Sequence, residues 1–286
     1  MKRVLGVHGV GNFRPGESAQ TAANALAAVW HAALTTGSRG PGPGSAGVDV
    51  AVAYYADLLR EPGRQAGAPA LEDLDTFEQE LLQAWAGHLG VPTGVAAGRA
   101  TAPVRQALAW LSERRGLGRV ATEWFVATFF REVAAYLQAG NGAVRYRVRE
   151  RITAAIDAHR PQVIIAHSLG SVAAYEALWA HHGHEVDLLV TVGSPLALPH
   201  AVFPRLQPPP LGDRGQRPPS VRRWVNLSDP GDLVALPPGG VEARFDGVEP
   251  SSGDRAIHAF DFHLVKNYLT SPRLATILKE SGGSGE

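Results

Sequence analysis

A chain of 286 residues is long enough for one large α/β domain with its own core. Its 27 basic and 27 acidic residues balance to a formal charge of zero, which removes the bulk attraction a nucleic-acid partner would use. It contains no cysteine, so disulfides, thiolate metal sites and a cysteine nucleophile are excluded. Met1-Lys2-Arg3 precedes an apolar run too short for a signal peptide, and no run of eighteen apolar residues exists. The reading is therefore a first strand starting almost at Met1, no transmembrane helix and a cytoplasmic location.

Strand and helix signals then alternate, the pattern of a mostly parallel sheet covered by helices. Val4 to Val7 reads as a strand and Glu17 to Leu34 as a helix. The Gly/Pro/Ser stretch 37–47 is a loop, and Val48 to Tyr55 a second strand. The region from Leu58 to Ala139 is helical in spacing and broken by Gly and Pro into several helices. It is far longer than a parallel crossover requires. Val144, Val148, Ile152 and Ile156 recur every four residues and predict an amphipathic helix. Arg145, Arg147, Arg149 and Arg151, at spacing two, spread around it and are expected to be solvated. Pro161 to Ile165 is a β-branched buried strand, Leu169 to His181 a helix, and Val186 to Val192 another strand. A Pro-rich loop spans 204–219, Val221 to Leu227 is a strand, Arg255 to Phe260 a last one, and Leu264 to Lys279 a final helix. Residues 281–286 read as a flexible tail.

The chemistry begins at Ala166-His167-Ser168-Leu169-Gly170, a serine at a sharp strand-to-helix turn between small residues. Such a turn lifts the hydroxyl above the sheet edge, where a base and an orienting acid can activate it. Asp232 and then His263 follow in chain order, each placed just after a predicted strand. Asp229 precedes Pro230 and suits a turn, so Asp232 is the candidate acid. His258 lies inside the predicted last strand, so His263, in the loop after it, is the favoured base. His8-Gly9-Val10-Gly11-Asn12 follows the first strand, and its backbone can present N–H groups to an oxyanion. The Val10 and Leu169 amides are the candidate pair. A phosphate loop is the alternative for this segment, but a third glycine and a Walker lysine are missing. His181-His182-Gly183-His184 could suggest a metal, but no acidic residue repeats at ligand spacing beside it, and no metal site is assigned. Ser194 lacks an elbow and reads as a turn residue.

On these motifs the chain resembles the α/β-hydrolase superfamily, on its lipase and esterase side. The His8-Gly9 pair resembles that family's oxyanion segment, and Ala166–Gly170 resembles the A-x-S-x-G elbow of some bacterial lipases. Asp232-Leu233-Val234-Ala235-Leu236-Pro237-Pro238 is similar to the acid loop of triacylglycerol lipases. The resemblance implies one α/β-hydrolase domain over residues 1–280, lacking the family's first strands; the helical region at about 58–139 has no signature of that family and is read from its excess length and aromatic surface as a cap insertion. The resemblance also implies carboxylic ester hydrolysis through an acyl-serine intermediate, with Ser168, Asp232 and His263 as triad and no cofactor. The substrate would be a small-molecule or lipid ester, with His8, Gly9, His167, Trp124 and Phe129 around it. A peptidase or amidase on the same triad, or an inactive fold used as a binding module, stays open, as do the oligomeric state and a core-thickening role for the insertion.

Overall fold

The computed structural model describes residues 1–37, 47–60, 71–88, 118–138, 142–181, 183–229, 232–235, 237, 239–250 and 263–281. The described strands are β1 (Lys2–Val7), β2 (Val48–Ala53), β3 (Val163–His167), β4 (Val186–Val192), β5 (Gly215–Gln216), β6 (Val221–Leu227), β7 (Phe245–Asp246) and β8 (Val248–Glu249). The described α-helices are α1 (Ala19–Gly37), α2 (Thr76–His88), α3 (Arg119–Leu137), α4 (Gly142–His159), α5 (Leu169–Ala180), α6 (Gly240–Arg244), α7 (Val265–Leu269) and α8 (Pro272–Glu280).

Six strands form one sheet in the order β2-β1-β3-β4-β6-β8, every pairing parallel, while β5 and β7 make a separate short pair. A parallel sheet has both faces buried, and the alternation along each strand divides its side chains between two layers. Val4, Val163, Ile165, Leu188 and Val190 pack with Trp30 of α1, Leu269 of α7 and Leu274 of α8. Leu5, Val7, Ile164, Ala166 and Leu189 pack with Leu81 of α2, Phe130 of α3, Ile152 of α4 and Leu178 of α5. Each such side chain taken from water is worth roughly 1.5–3 kcal/mol, which is why the β-branched runs form the middle of the molecule. Strand order reverses between β1 and β3, and the carboxyl ends of parallel strands at such a reversal border a crevice.

Several expectations change. The outermost strand described is β8, at Val248–Glu249, while Arg255–Phe260 lies outside the described residues. The final helix is two helices. Pro272 has no N–H to continue the ladder from α7, and Ser271 Oγ instead accepts the Leu274 N–H at 3.2 Å, capping α8. Arg145 is buried rather than solvated, because Glu176 lies in the buried stretch 169–178 of α5 and draws it in. Glu176 accepts from Arg145 through both oxygens, from the Tyr136 hydroxyl at 2.7 Å and from the Gln207 N–H at 3.0 Å. A buried charge needs that many partners.

The described helices of the long insertion join the sheet's own core: Leu81, Trp85, Phe130 and Val133 share the cluster of Leu5 and Ile164. Trp85 Nε1–H also donates to Leu233 O at 2.6 Å, tying α2 to the loop after β6. Residues 61–70 and 89–117, Trp110 among them, lie outside the described residues. No described helix is long and apolar enough to cross a membrane.

Candidate active site

Ser168 occupies the turn from β3 into α5 with φ 55° and ψ −132°. A non-glycine residue held there stores about 1–3 kcal/mol, so the surroundings must enforce it. The Ser168 N–H donates to Val192 O at 3.1 Å, and the Ser168 carbonyl accepts from Ser171 Oγ at 2.6 Å. Glycine on both sides permits the close packing. A Cβ on Gly170 would stand 2.3 Å from His8 O, and one on Gly9 would stand 2.5 Å from Ser168 Cβ. The loop after β1 therefore lies directly on the serine.

Asp232 and His263 face one another, both buried, with Nδ1 2.9 Å from each carboxylate oxygen. Asp232 Oδ2 also accepts from the Tyr268 hydroxyl at 2.7 Å, and Oδ1 from the Val234 N–H at 2.8 Å. Burial alone would raise this carboxyl; the neighbouring His263 ring and these hydrogen bonds outweigh it and hold the pKa down to about 2. Burial and Asp232 push the Tyr268 phenol well up, so it stays a donor. An ionised Asp232 fixes the proton of His263 on Nδ1 and leaves Nε2 as an acceptor. Nε2 and Ser168 Oγ are both buried, and neither has a hydrogen-bond partner among the described residues.

Gly193, the residue after β4, joins these two halves. Its φ is +55°, and a Cβ there would stand 2.8 Å from Asp232 Oδ2 and 3.2 Å from the His263 ring. The peptide before it supplies the Val192 carbonyl that holds Ser168. Serine and His–Asp pair thus stand on consecutive residues of one strand end.

The remaining candidates distribute unevenly. Leu169 opens α5, so its N–H has no acceptor in the helix's own ladder. Val10 lies in the loop on Ser168, packed against the core. His167 is buried with its ring centroid 4.6 Å from that of His263. Burial and the nearby His263 hold it well below the usual imidazole range, hence neutral. His8 is not a wall of the site. Its Nδ1 meets Gly9 O at 2.8 Å, its Nε2 accepts the Tyr55 N–H at 3.1 Å, and it stacks on Tyr55 at 4.2 Å. Burial lowers it to about 4, so it braces the ends of β1 and β2 as a neutral ring. Phe129 is core, edge-on to His263 at 6.3 Å and to Phe130 at 5.0 Å. Trp124 is 43% exposed, with Cη2 3.8 Å from where a Gly11 Cβ would stand. The Asp229 carbonyl accepts the Asp232 N–H at 2.8 Å. His258 lies outside the described residues. His181 bonds Asp157 at 2.8 Å and His184 bonds Pro161 O at 2.7 Å, each committed locally.

Sequence reasoning missed Tyr268 and Glu132 as site residues, while the ring of Phe125, part of the insertion's apolar surface, lies 5.3 Å from that of His263. Both Glu132 oxygens lie 3.2 Å from the Gly11 nitrogen, and burial raises its pKa to about 7. Tyr268 and Glu132 act through tertiary contact and leave no local pattern, although α3 presents Phe125, Phe129 and Glu132 on one broad stripe. Compared with family models, curated proteins and solved structures, the chain has no match.

Proposed function

We propose that the chain is an α/β hydrolase of the lipase and esterase kind, cleaving carboxylic esters through an acyl-serine intermediate. The observation that carries this reading is the Asp232–His263 pair, which leaves Nε2 without a partner among the described residues, at a strand end shared with the strained Ser168 turn. The chain order Ser, Asp, His is that of the α/β-hydrolase fold. Hydrogen bonds between nucleophile and base are commonly loose before substrate binds.

In this mechanism Ser168 Oγ attacks the ester carbonyl carbon while His263 Nε2 takes its proton. Asp232 holds the imidazole and stabilises the imidazolium. The amides of Val10 and Leu169 receive the oxyanion, each donor being worth about 3–4 kcal/mol in the transition state. Collapse expels the alcohol, which takes the proton from His263. Water, deprotonated by His263, then releases the acid and restores Ser168. The apolar surface of Trp124 and Phe125 beside the oxyanion loop and the base favours an apolar acyl group. The chain's zero formal charge favours a small uncharged ester over nucleic acid.

A fluorophosphonate probe tests the reading. One adduct should form, mapping to Ser168 by mass spectrometry. Ser168→Ala should take up no probe and lose about 10⁶-fold in kcat on a nitrophenyl ester while remaining folded. An adduct on another residue, or none, overturns the assignment.

A further inference from the structure

Helix α3 carries Trp124, Thr128 and Glu132 at intervals of four, which stacks them on one face of the helix. Both ends of this ladder meet the same residue. Trp124 lies against Gly11, and the Glu132 carboxylate accepts the Gly11 N–H through both oxygens. Between them the buried Thr128 hydroxyl has no partner among the described residues. Gly11 itself has φ +74° and follows Val10 directly, and Gly9 on the other side of Val10 packs on Ser168. The Val10 peptide is therefore held at one end by the serine and at the other by Glu132.

Burying a carboxylate is costly unless several donors compensate, and an apolar residue of similar volume commonly serves stability as well or better. Among the described residues the compensation is a single amide shared between two oxygens, with the Arg60 charge acting at longer range. Stability does not account for an acid at this position; loop placement does.

We propose that Glu132 is a positioning residue of the active site: by holding the Gly11 amide it sets the Val10 N–H where the oxyanion forms beside Ser168. The inference rests on the hydrolase reading. It makes α3 part of the catalytic machinery through its hold on the loop, without a contact from Glu132 to substrate. A donor misplaced by an ångström loses its transition-state hydrogen bond while ground-state binding is little changed, so the effect falls on kcat and not on KM.

The test compares Glu132→Leu, Glu132→Asp and Glu132→Gln with the wild-type chain, measuring kcat, KM and phosphonylation rate, with near-ultraviolet circular dichroism as the check of folding. Leu removes the acceptor, Asp keeps the charge but withdraws it by one methylene, and Gln keeps an acceptor oxygen at the same reach. E132L and E132D should lose about 10- to 100-fold in kcat and in phosphonylation rate with KM within about twofold, and E132Q should recover kcat to within about threefold. If E132L does not fold, the E132D–E132Q pair carries the same comparison. Wild-type kcat in folded E132L, or in E132D, overturns the proposal and leaves the hydrolase reading standing. A wild-type chain unlabelled at Ser168 overturns both.

Discussion

The ends of β3 and β4 lie side by side and leave the sheet through the same unusual backbone: φ is 55° at Ser168 and 55° at Gly193. At the end of β3 the strained turn carries a side chain and lifts it out of the sheet. At the end of β4 it must carry none, because a Cβ there would meet Asp232 Oδ2 at 2.8 Å. One turn presents the Ser168 hydroxyl; its neighbour clears the space in which the His–Asp pair stands. A left-handed φ at a site therefore has two uses, and the second is visible only from what the missing atom would strike.

Removing the occupant of the cleared space should have the largest effect. Asp232→Asn keeps the volume but lets the amide stabilise the wrong imidazole tautomer, so kcat should fall about 10⁴-fold. Asp229→Asn should change little, since it is the carbonyl there that accepts the Asp232 N–H. Steady-state hydrolysis of a nitrophenyl ester by the two variants measures the contrast. A larger loss in the Asp229 variant would move the acid to the other side of Pro230.

The two turns were not equally legible in the sequence. Ser168 announces itself, because the elbow needs small residues two before and two after it, and Ala166 and Gly170 stand in those places. Strand β4 begins and ends where its mostly apolar run does, since buried parallel strands are written as near-continuous apolar segments, and β6 keeps the bounds Val221–Leu227 despite two arginines near its start. Strand β8 has only two residues and no such run. Gly193 follows a run that reads plainly as a strand, but what it clears is visible only once the fold brings Asp232 and His263 over it. Tyr268 and Glu132 bond partners 36 and 121 residues away, and no local period encodes a contact of that kind. His8 was legible as a site residue and misplaced for a related reason: its position after β1 is plain, but the Tyr55 amide that claims its ring comes from another strand end.

Gly193→Ala tests the clearing role directly. The left-handed φ alone costs about 1 kcal/mol for alanine, and crowding of the pair adds to it. Gly212 supplies the control, with φ +63° and nothing within 4 Å of a built Cβ. Gly212→Ala should therefore show the backbone cost without a change in kcat, whereas Gly193→Ala should also displace His263 and lower kcat about 100-fold. Denaturant unfolding and ester hydrolysis on both variants separate strain from crowding. Equal activity in the two would mean that the pair does not need the space.

The smallest effect concerns the link between the turns. Ser171 Oγ–H donates to Ser168 O at 2.6 Å, so its hydroxyl proton is committed there. The 2.7 Å contact between the Ser171 and Ser194 hydroxyls then requires Ser194 to donate, and Ser194 Oγ in turn accepts the Leu196 N–H at 3.2 Å. The result is one directed chain from the loop after β4 to the carbonyl of Ser168, with every hydroxyl serving as both donor and acceptor. Ser194→Ala breaks it in the middle and leaves the buried Leu196 amide without its acceptor, which should lower stability by about 1–3 kcal/mol in denaturant unfolding. The Ser168 turn keeps its bond from Ser171 and its amide bond to Val192, so kcat should change by less than about threefold, as expected for one neutral hydrogen bond acting at second hand. A loss of activity as large as that of Gly193→Ala would mean that the two turns work as a single unit and that the Ser171–Ser194 link holds the nucleophile in place.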